Sequence, residues 1–296
     1  MEFKQLRSFV EVVRQGSFTQ AAQRLHASQS AISKQVAQLE QSLHVQLLER
    51  SGPHVRLTAA GEVALRRAED MLRLRRELLI ELDDLSQMRR GELRLGLPLL
   101  GADALFAWRF AEYRKRYPHI QVHLVEGGSK SLELALHAGE LELAGALTPN
   151  DPAFDWQPFC NEPLDALLPA AHPLAGRESI ALAELADTPF LLYQQSFTLN
   201  DRLLRACREA GFEPREGGRS GQADFLGALV AAGQGVVLLP RVVAQEVERP
   251  GVARVLLSEP DLRWDICFIW RRDAYLSHAA KAWLALLEEF PLHPMG

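Results

Sequence analysis

Four side chains within "SQSAISKQVAQLEQ", residues 28 to 41, suit one kind of chemistry. Gln29 offers a paired donor and acceptor, Ser30 and Ser33 offer hydroxyls, and Lys34 offers a positive charge. Ile32, Val36, Leu39 and Leu43 recur at i, i+4, i+7 and i+11, the stripe of a helix packed on a core. Ser30, Ser33 and Lys34 fall on the other side of that helix with Gln29 at its flank, so the polar set faces outward. An amide there can bond an adenine edge, hydroxyls can reach base edges or phosphate, and an ammonium neutralises phosphate. Arg50 and Arg56 add charge suited to phosphate or to a minor groove. The chemistry these side chains would suit is contact with double-stranded DNA.

Reaction chemistry is poorly served. Ser129 beside Lys130, and His172 before Pro173, are the nearest approach to a nucleophile with a base. "GGSKS" lacks the second glycine of the G-x-S-x-G elbow, and no G-x-x-x-x-G-K-[ST] phosphate loop occurs. His123 and His137 read as isolated residues on a strand and a helix. Cys160, Cys207 and Cys267 stand far apart without a C-x-x-C pair, so they read as buried small hydrophobes, not as zinc ligands or disulfide partners. No catalytic residue, metal or cofactor is expected, and the chain does not read as an enzyme.

The elements that position the polar set follow from the first 58 residues. "MEFKQLRSFVEVVRQGSF" gives a helix with Phe3, Leu6, Phe9, Val10 and Val13 inward, stopped near Gly16. Ser17 can cap a short helix, "FTQAAQRL", whose Ala21, Ala22 and Leu25 allow close packing. "HAS" is a turn and Ser28 a cap for the next helix, which completes a helix-turn-helix plan. "VQLLERS" and "HVRLT", joined through Gly52 and Pro53, read as a wing hairpin. Residues 1–60 carry a net charge of +3 and the remainder −8, a basic head on an acidic body.

From Thr58, about 30 residues run without proline. Leu65, Ala68, Leu72, Leu79 and Leu82 fit heptad spacing with Arg75 interrupting, and Met71, Leu74, Leu78, Leu85 and Met88 make a second stripe. One stripe is expected against a partner copy and the other against the head or body. Two recognition helices related by a two-fold axis need half-sites about 34 Å apart, or a multiple, so an interrupted palindrome is expected.

The 296-residue length, with 47% hydrophobic and 24% charged residues, fits two or three packed soluble units. No basic-then-apolar leader opens the chain and no stretch approaches the ~20 apolar residues of a membrane span, so a cytoplasmic protein without a membrane partner is expected. From Gly91 on, short apolar strands alternate with helices, the mark of a parallel α/β sheet.

The stretch from "FVEVVRQGSF" through "VRLTAAGE" resembles the N-terminal domain of LysR-type transcriptional regulators, with Ala21, Ala22, Leu25, Ser28, Gln29, Ser33, Gln35, Leu39, Glu40, Leu47, Arg50, Leu57, Thr58 and Gly61 carrying the likeness. Ser30 stands where that family often has proline, and Leu48 where it usually has phenylalanine. "YPHIQVHLVEGGSKSLELALHAGELELA", "HPLAG" and "LVAAGQGVVLLP" resemble the family's effector domain, which is similar to a small periplasmic binding protein. The resemblance implies a winged helix-turn-helix domain over 1–58 and a linker and dimerisation helix over 59–90. An α/β effector-binding domain of two lobes would follow over 91–296, lobe I being 91–163 plus 265–296 and lobe II 164–264. It implies a homodimer through the linker helix, with a homotetramer expected, and a small-molecule effector between the lobes.

Ligands of open α/β sheets bind beyond the carboxyl ends of strands, near helix N-termini. That rule lines the cleft with Pro98, Leu99, Leu100, Gly128, Ser129, Thr148, Tyr193, Phe197, Thr198, Ser220 and Gln222. "LPLLGAD" lacks the hydroxyl that many relatives place after the first strand. With Tyr193, Phe197 and Phe225 available, an aromatic or largely apolar effector is expected, any acid group being held by Ser129 and Thr198. The alternative is a DNA-tethered protein-interaction module with no small-molecule effector; an enzyme fused to a DNA-binding head is disfavoured.

Overall fold

The computed structural model describes residues 1–49, 55–85 and 91–292, apart from the side chains of Asp83 and Leu85. The chain divides into two compact units, Met1–Ser86 and Gln87–Gly296.

The first unit contains α1 (Phe3–Gln15), α2 (Phe18–Arg24), α3 (Gln29–Leu43) and α4 (Ala59–Leu85). Local chemistry marks the boundaries. Gly16 closes α1 in the left-handed region at φ 61°, where a side chain would be strained. Ser17 Oγ accepts from the Gln20 N–H at 3.4 Å and Ser28 Oγ from the Ala31 N–H at 3.2 Å, capping α2 and α3 as their sequences predict. Ile32, Val36 and Leu39 are buried against Leu6, Phe9 and Val10 of α1 and Ala21 and Ala22 of α2. α1 touches all three other helices and so buries a wider arc than its stripe suggests: Val12 is fully buried and Ser8 nearly so. Two residues read as inward lie outside the core. Phe3 is 48% exposed with the Arg75 guanidinium 5.3 Å from its ring, and Leu43 is exposed, because each sits at a helix end beyond the packed helices.

Beyond α3 the chain folds back as a short antiparallel bridge between Leu48 and Leu57. Glu40 Oε1 accepts from the N–H groups of Leu47 and Leu48, at 2.8 and 3.2 Å, and so fixes where the returning chain meets α3. Thr58 Oγ1 accepts from the Gly61 N–H at 2.9 Å at the start of α4. The wing tip, with Arg50, Gly52 and Pro53, lies outside the described residues. On α4, Ala68 is buried and Leu65 and Leu72 pack on the head core, so the first half of the heptad stripe is used within the unit. Leu74, Leu78, Leu79 and Leu82 are each more than half exposed. Met88 and the Leu85 side chain, which complete the second stripe, lie outside the described residues.

The second unit runs β1 (Gly91–Pro98), α5 (Ala102–Arg116), β2 (Ile120–Gly127), α6 (Ser129–His137), β3 (Leu143–Leu147), β4 (Phe154–Pro169), β5 (Ser179–Ile180), β6 (Phe190–Leu192), α7 (Thr198–Glu209), β7 (Glu216–Arg219), α8 (Ala223–Ala231), β8 (Val237–Pro240), α9 (Arg241–Glu246), β9 (Val252–Leu257), β10 (Arg263–Arg271) and α10 (His278–Glu289). Among the described residues the main sheet has the order β2-β1-β3-β10-β4-β9-β5, with β8 also on β4, and β6 pairs with β7. β1, β2 and β3 are parallel, as strand-helix alternation requires, whereas β10 returns antiparallel between β3 and β4. β4 joins two lobes: residues up to Pro163 pair with β10, and from Leu164 onward they pair with β8 and β9.

Two clusters around a buried charge, Arg109 and Asp165, tie this architecture down. Arg109 of α5, 2% exposed, donates to the Phe290 carbonyl beyond α10 and packs its guanidinium 4.5 Å from the Trp108 ring and 4.9 Å from that of Phe159. Its charge is met by carbonyl dipoles and ring faces, and burial pulls its pKa down. Asp165 of β4, fully buried, binds Arg241 of α9 and Arg254 of β9 at 3.2 and 2.9 Å. Among the described residues no helix is long and apolar enough to cross a membrane.

Candidate functional site

Gln29 and Ser30 open α3, and Ser33 and Lys34 follow one turn later; all four are exposed. Ser30 Oγ lies 3.1 Å from Ser28 Oγ, so the cap also steadies the first outward hydroxyl. On the inner flank Gln35 accepts a hydrogen bond from the buried Ser8 of α1, which fixes the rotation of α3. Arg56 is exposed on the returning wing segment, where its carbonyl accepts from the Glu49 N–H at 2.9 Å. The described cations and hydroxyls therefore occupy a surface suited to phosphate and base edges. His26, in the turn before α3, and His44, its C-cap, both hold positive φ, at 50° and 54°.

In the second unit a cleft opens where β1, β2 and β3 end and α6 and α7 begin. Seven of the residues expected there line it: Pro98, Leu99, Leu100, Gly128, Ser129, Phe197 and Thr198. Gly127, Leu147, Leu199, Trp264 and Ile266 complete the wall. The first three continue neighbouring strand and helix ends, but Trp264 and Ile266 belong to β10, which inserts antiparallel beside β3 from the far end of the chain, a placement that strand–helix alternation does not announce. Ser129 Oγ is occupied by the Leu147 N–H at 3.2 Å. The cavity left between the lobes is about 20 Å³, room for roughly one water molecule.

Four expected lining residues lie elsewhere. Tyr193 is buried in the second lobe, its hydroxyl donating to the Leu238 carbonyl and its ring stacked 5.5 Å from Phe197; it is a core residue because its polar tip finds a backbone partner there. Thr148, one residue past the lining Leu147, donates its N–H to the Asp265 carbonyl at 3.2 Å. Ser220 Oγ accepts from the Gln222 N–H at 3.1 Å in the turn before α8, and Gln222 is exposed. Phe225 is 51% exposed on α8 and is not a cleft aromatic.

His137 is not isolated: its Nε2 lies 2.9 Å from Asp151, whose carboxyl is held below the usual range chiefly by the Ala153 N–H. Among the described residues no group of three His, Cys, Asp or Glu side chains is placed to hold a metal. Burial pushes the thiols of Cys160 and Cys267 up to about 12 and that of Cys207 to about 11. All three are free.

A helix-turn-helix head with a polar outward face on its third helix, together with a two-lobed α/β body enclosing a cleft, is the build of a DNA-binding regulator with a ligand-type domain. The comparisons narrow this class. Residues 3–62 match the family model described as bacterial regulatory helix-turn-helix protein, lysR family, and residues 86–291 match the LysR substrate binding domain. The uncharacterized HTH-type transcriptional regulator YwbI of Bacillus subtilis is 34% identical over 285 residues, covering 96% of this chain and 95% of that one. The DNA-binding transcriptional dual regulator OxyR of Escherichia coli is 29% identical, covering 92% of this chain and 90% of its own length. Among solved structures, a full-length cysteine variant of OxyR from Pseudomonas aeruginosa superposes with a TM-score of 0.72 at 26% identity, over 97% of this chain and 95% of that one. Full-length CbnR in complex with its target DNA shares the fold at a TM-score of 0.66 and 24% identity, over 98% and 99% of the two chains. The chain belongs to the LysR family of transcriptional regulators.

Proposed function

We propose that this regulator binds an interrupted palindrome as a dimer or tetramer and responds to a small metabolite held between its lobes, acting in the cytoplasm and catalysing no reaction. The observation that carries the reading is the exposed set Gln29, Ser30, Ser33 and Lys34 at the start of a helix whose other side is buried in the head. Those four side chains read base edges and adjacent phosphates, while Arg56, with Arg50, holds the backbone or enters the minor groove. The exposed leucines of α4 join two copies, which spaces the half-sites by about 34 Å or a multiple. In the cleft, Pro98, Leu99, Leu100, Phe197, Trp264 and Ile266 favour an aromatic or largely apolar metabolite, with Ser129 and Thr198 on any acid group.

The test is selection from fragmented genomic DNA by the full chain at moderate salt, followed by sequencing of the retained fragments. A small set sharing an interrupted palindrome is expected. Recovery without a common motif would overturn sequence-specific binding by this head.

A further inference from the structure

Gly128 marks how closely the two lobes meet. Its φ of −72° and ψ of 153° are open to any residue, yet a Cβ there would lie 2.3 Å from the Ser196 carbonyl oxygen. The missing side chain is what lets the start of α6 touch the segment leading into α7. Two ion pairs fasten the same seam. Lys130 Nζ of α6 lies 2.7 Å from Asp201 of α7, and Arg202, the next residue of α7, pairs with Asp265 of β10 and donates to the Thr148 carbonyl at 3.4 Å. Their polarity is reciprocal: the first lobe supplies the cation of one pair and the anion of the other. Behind the seam the cavity holds about one water, so an organic molecule enters only when the lobes part.

We propose that the seam formed by Lys130–Asp201, Arg202–Asp265 and the Gly128–Ser196 contact is a charge-fastened latch that holds the cleft shut, and that a ligand acts by capturing the parted lobes. Its regulatory meaning rests on the reading of the cleft as the effector site. Apparent ligand affinity is then reduced by the fraction of molecules whose lobes are parted, so the latch sets the concentration at which the regulator responds. Partly exposed ion pairs are individually weak and screened by salt, which keeps parting thermally accessible.

The latch is tested without a ligand by placing a thiol in the cavity. In the full chain carrying Ser129→Cys, modification by N-ethylmaleimide reports parting, with the parent chain and its three buried or half-buried thiols setting the background. Asp201→Asn and Arg202→Met should each speed labelling about two- to fivefold, the effect of one such pair. The exchange Lys130→Asp with Asp201→Lys should return the rate towards its starting value. Molar salt should speed labelling in the latched chain and not in the doubly neutralised one. Gly128→Ala, a steric wedge on unstrained backbone, should speed labelling in both. Fast labelling in Gly128→Ala with unchanged rates in Asp201→Asn and Arg202→Met would overturn the latch, since packing alone would then hold the seam. Unchanged rates in all variants would overturn it as well. A failure of the effector reading looks different: no saturable binding from a panel of aromatic acids, with the labelling pattern intact.

Discussion

Gln29 and Arg56 should fail in different ways, because one offers a bidentate amide and the other a point of charge. Gln29→Ala should relax the preference at one base position at a cost of about 1 to 3 kcal/mol, read by binding to a set of single-base operator variants; an unchanged preference removes Gln29 from direct readout. Arg56→Ala should weaken all sequences alike and lower the salt slope by about 1 if it neutralises one phosphate. The exposure of both side chains was legible from one helical wheel and one charge count. Glu40 was not. In sequence it is a polar residue at the far end of α3, but its carboxylate accepts from the N–H groups of Leu47 and Leu48, both buried in the head. Glu40→Ala leaves two donors without that carboxylate and should destabilise the head by about 2 kcal/mol, read as the shift in urea midpoint of the far-ultraviolet signal. A bond to a residue seven places on, across a turn, has no periodicity to announce it. Tyr193 failed in the opposite direction, since a strand-end position said cleft while its hydroxyl had a carbonyl partner inside the lobe.

α4 shows what an apolar pattern can and cannot decide. Its heptad stripe is real, but half of it, at Leu65, Ala68 and Leu72, is spent on the head core, and the exposed leucines form the run from Leu74 to Leu82. Periodicity reports that a face is apolar, not what covers it. Because Leu78 and Leu82 are each more than half exposed, Leu78→Glu with Leu82→Glu costs little in the folded head and places charge wherever two copies meet. The double variant should keep the helical signal and thermal midpoint of the parent, yet sediment as a monomer and lose palindrome binding; sedimentation at the parent's mass would remove these leucines from the interface. The strands and helices of the body were legible because β1 to β3 alternate with α5 and α6 in the simplest way. The antiparallel return of β10 was less so, and with it went Trp264 and Ile266 of the cleft wall: their alternation with Asp265 says that they share one face of a strand, but not that this strand inserts between β3 and β4 at the end of the cleft.

Across the whole molecule, the titratable groups that burial forces into their neutral form are segregated. All three cysteines and all four tyrosines lie beyond residue 100, as do all five tryptophans, so the head contains none of them. Burial raises Cys207 to about 11 and Cys160 and Cys267 to about 12, and it raises Tyr113 and Tyr193 in the same direction. An unfolded thiol titrates near pH 8.5, so between that value and the folded one the folded body binds more protons than the unfolded chain. The sign follows: stability is complete below about pH 8.5 and falls as pH rises, by up to about 1.4 kcal/mol per thiol per pH unit. Tryptophan fluorescence in urea should therefore show the body's midpoint dropping steeply from pH 9 to 10.5, while the far-ultraviolet signal of an isolated 1–86 fragment, if that compact unit folds alone, stays nearly level. Cys207→Ala should lower the slope of the body's decline by roughly a quarter, one thiol among three with Tyr113 and Tyr193 joining above about pH 9.5, whatever it does to the midpoint at pH 7. A flat fluorescence midpoint over that range would mean that the thiols reach water in the native body. They would then be open to oxidants, contrary to the deep burial that separates Cys207 and Cys267 from the cleft.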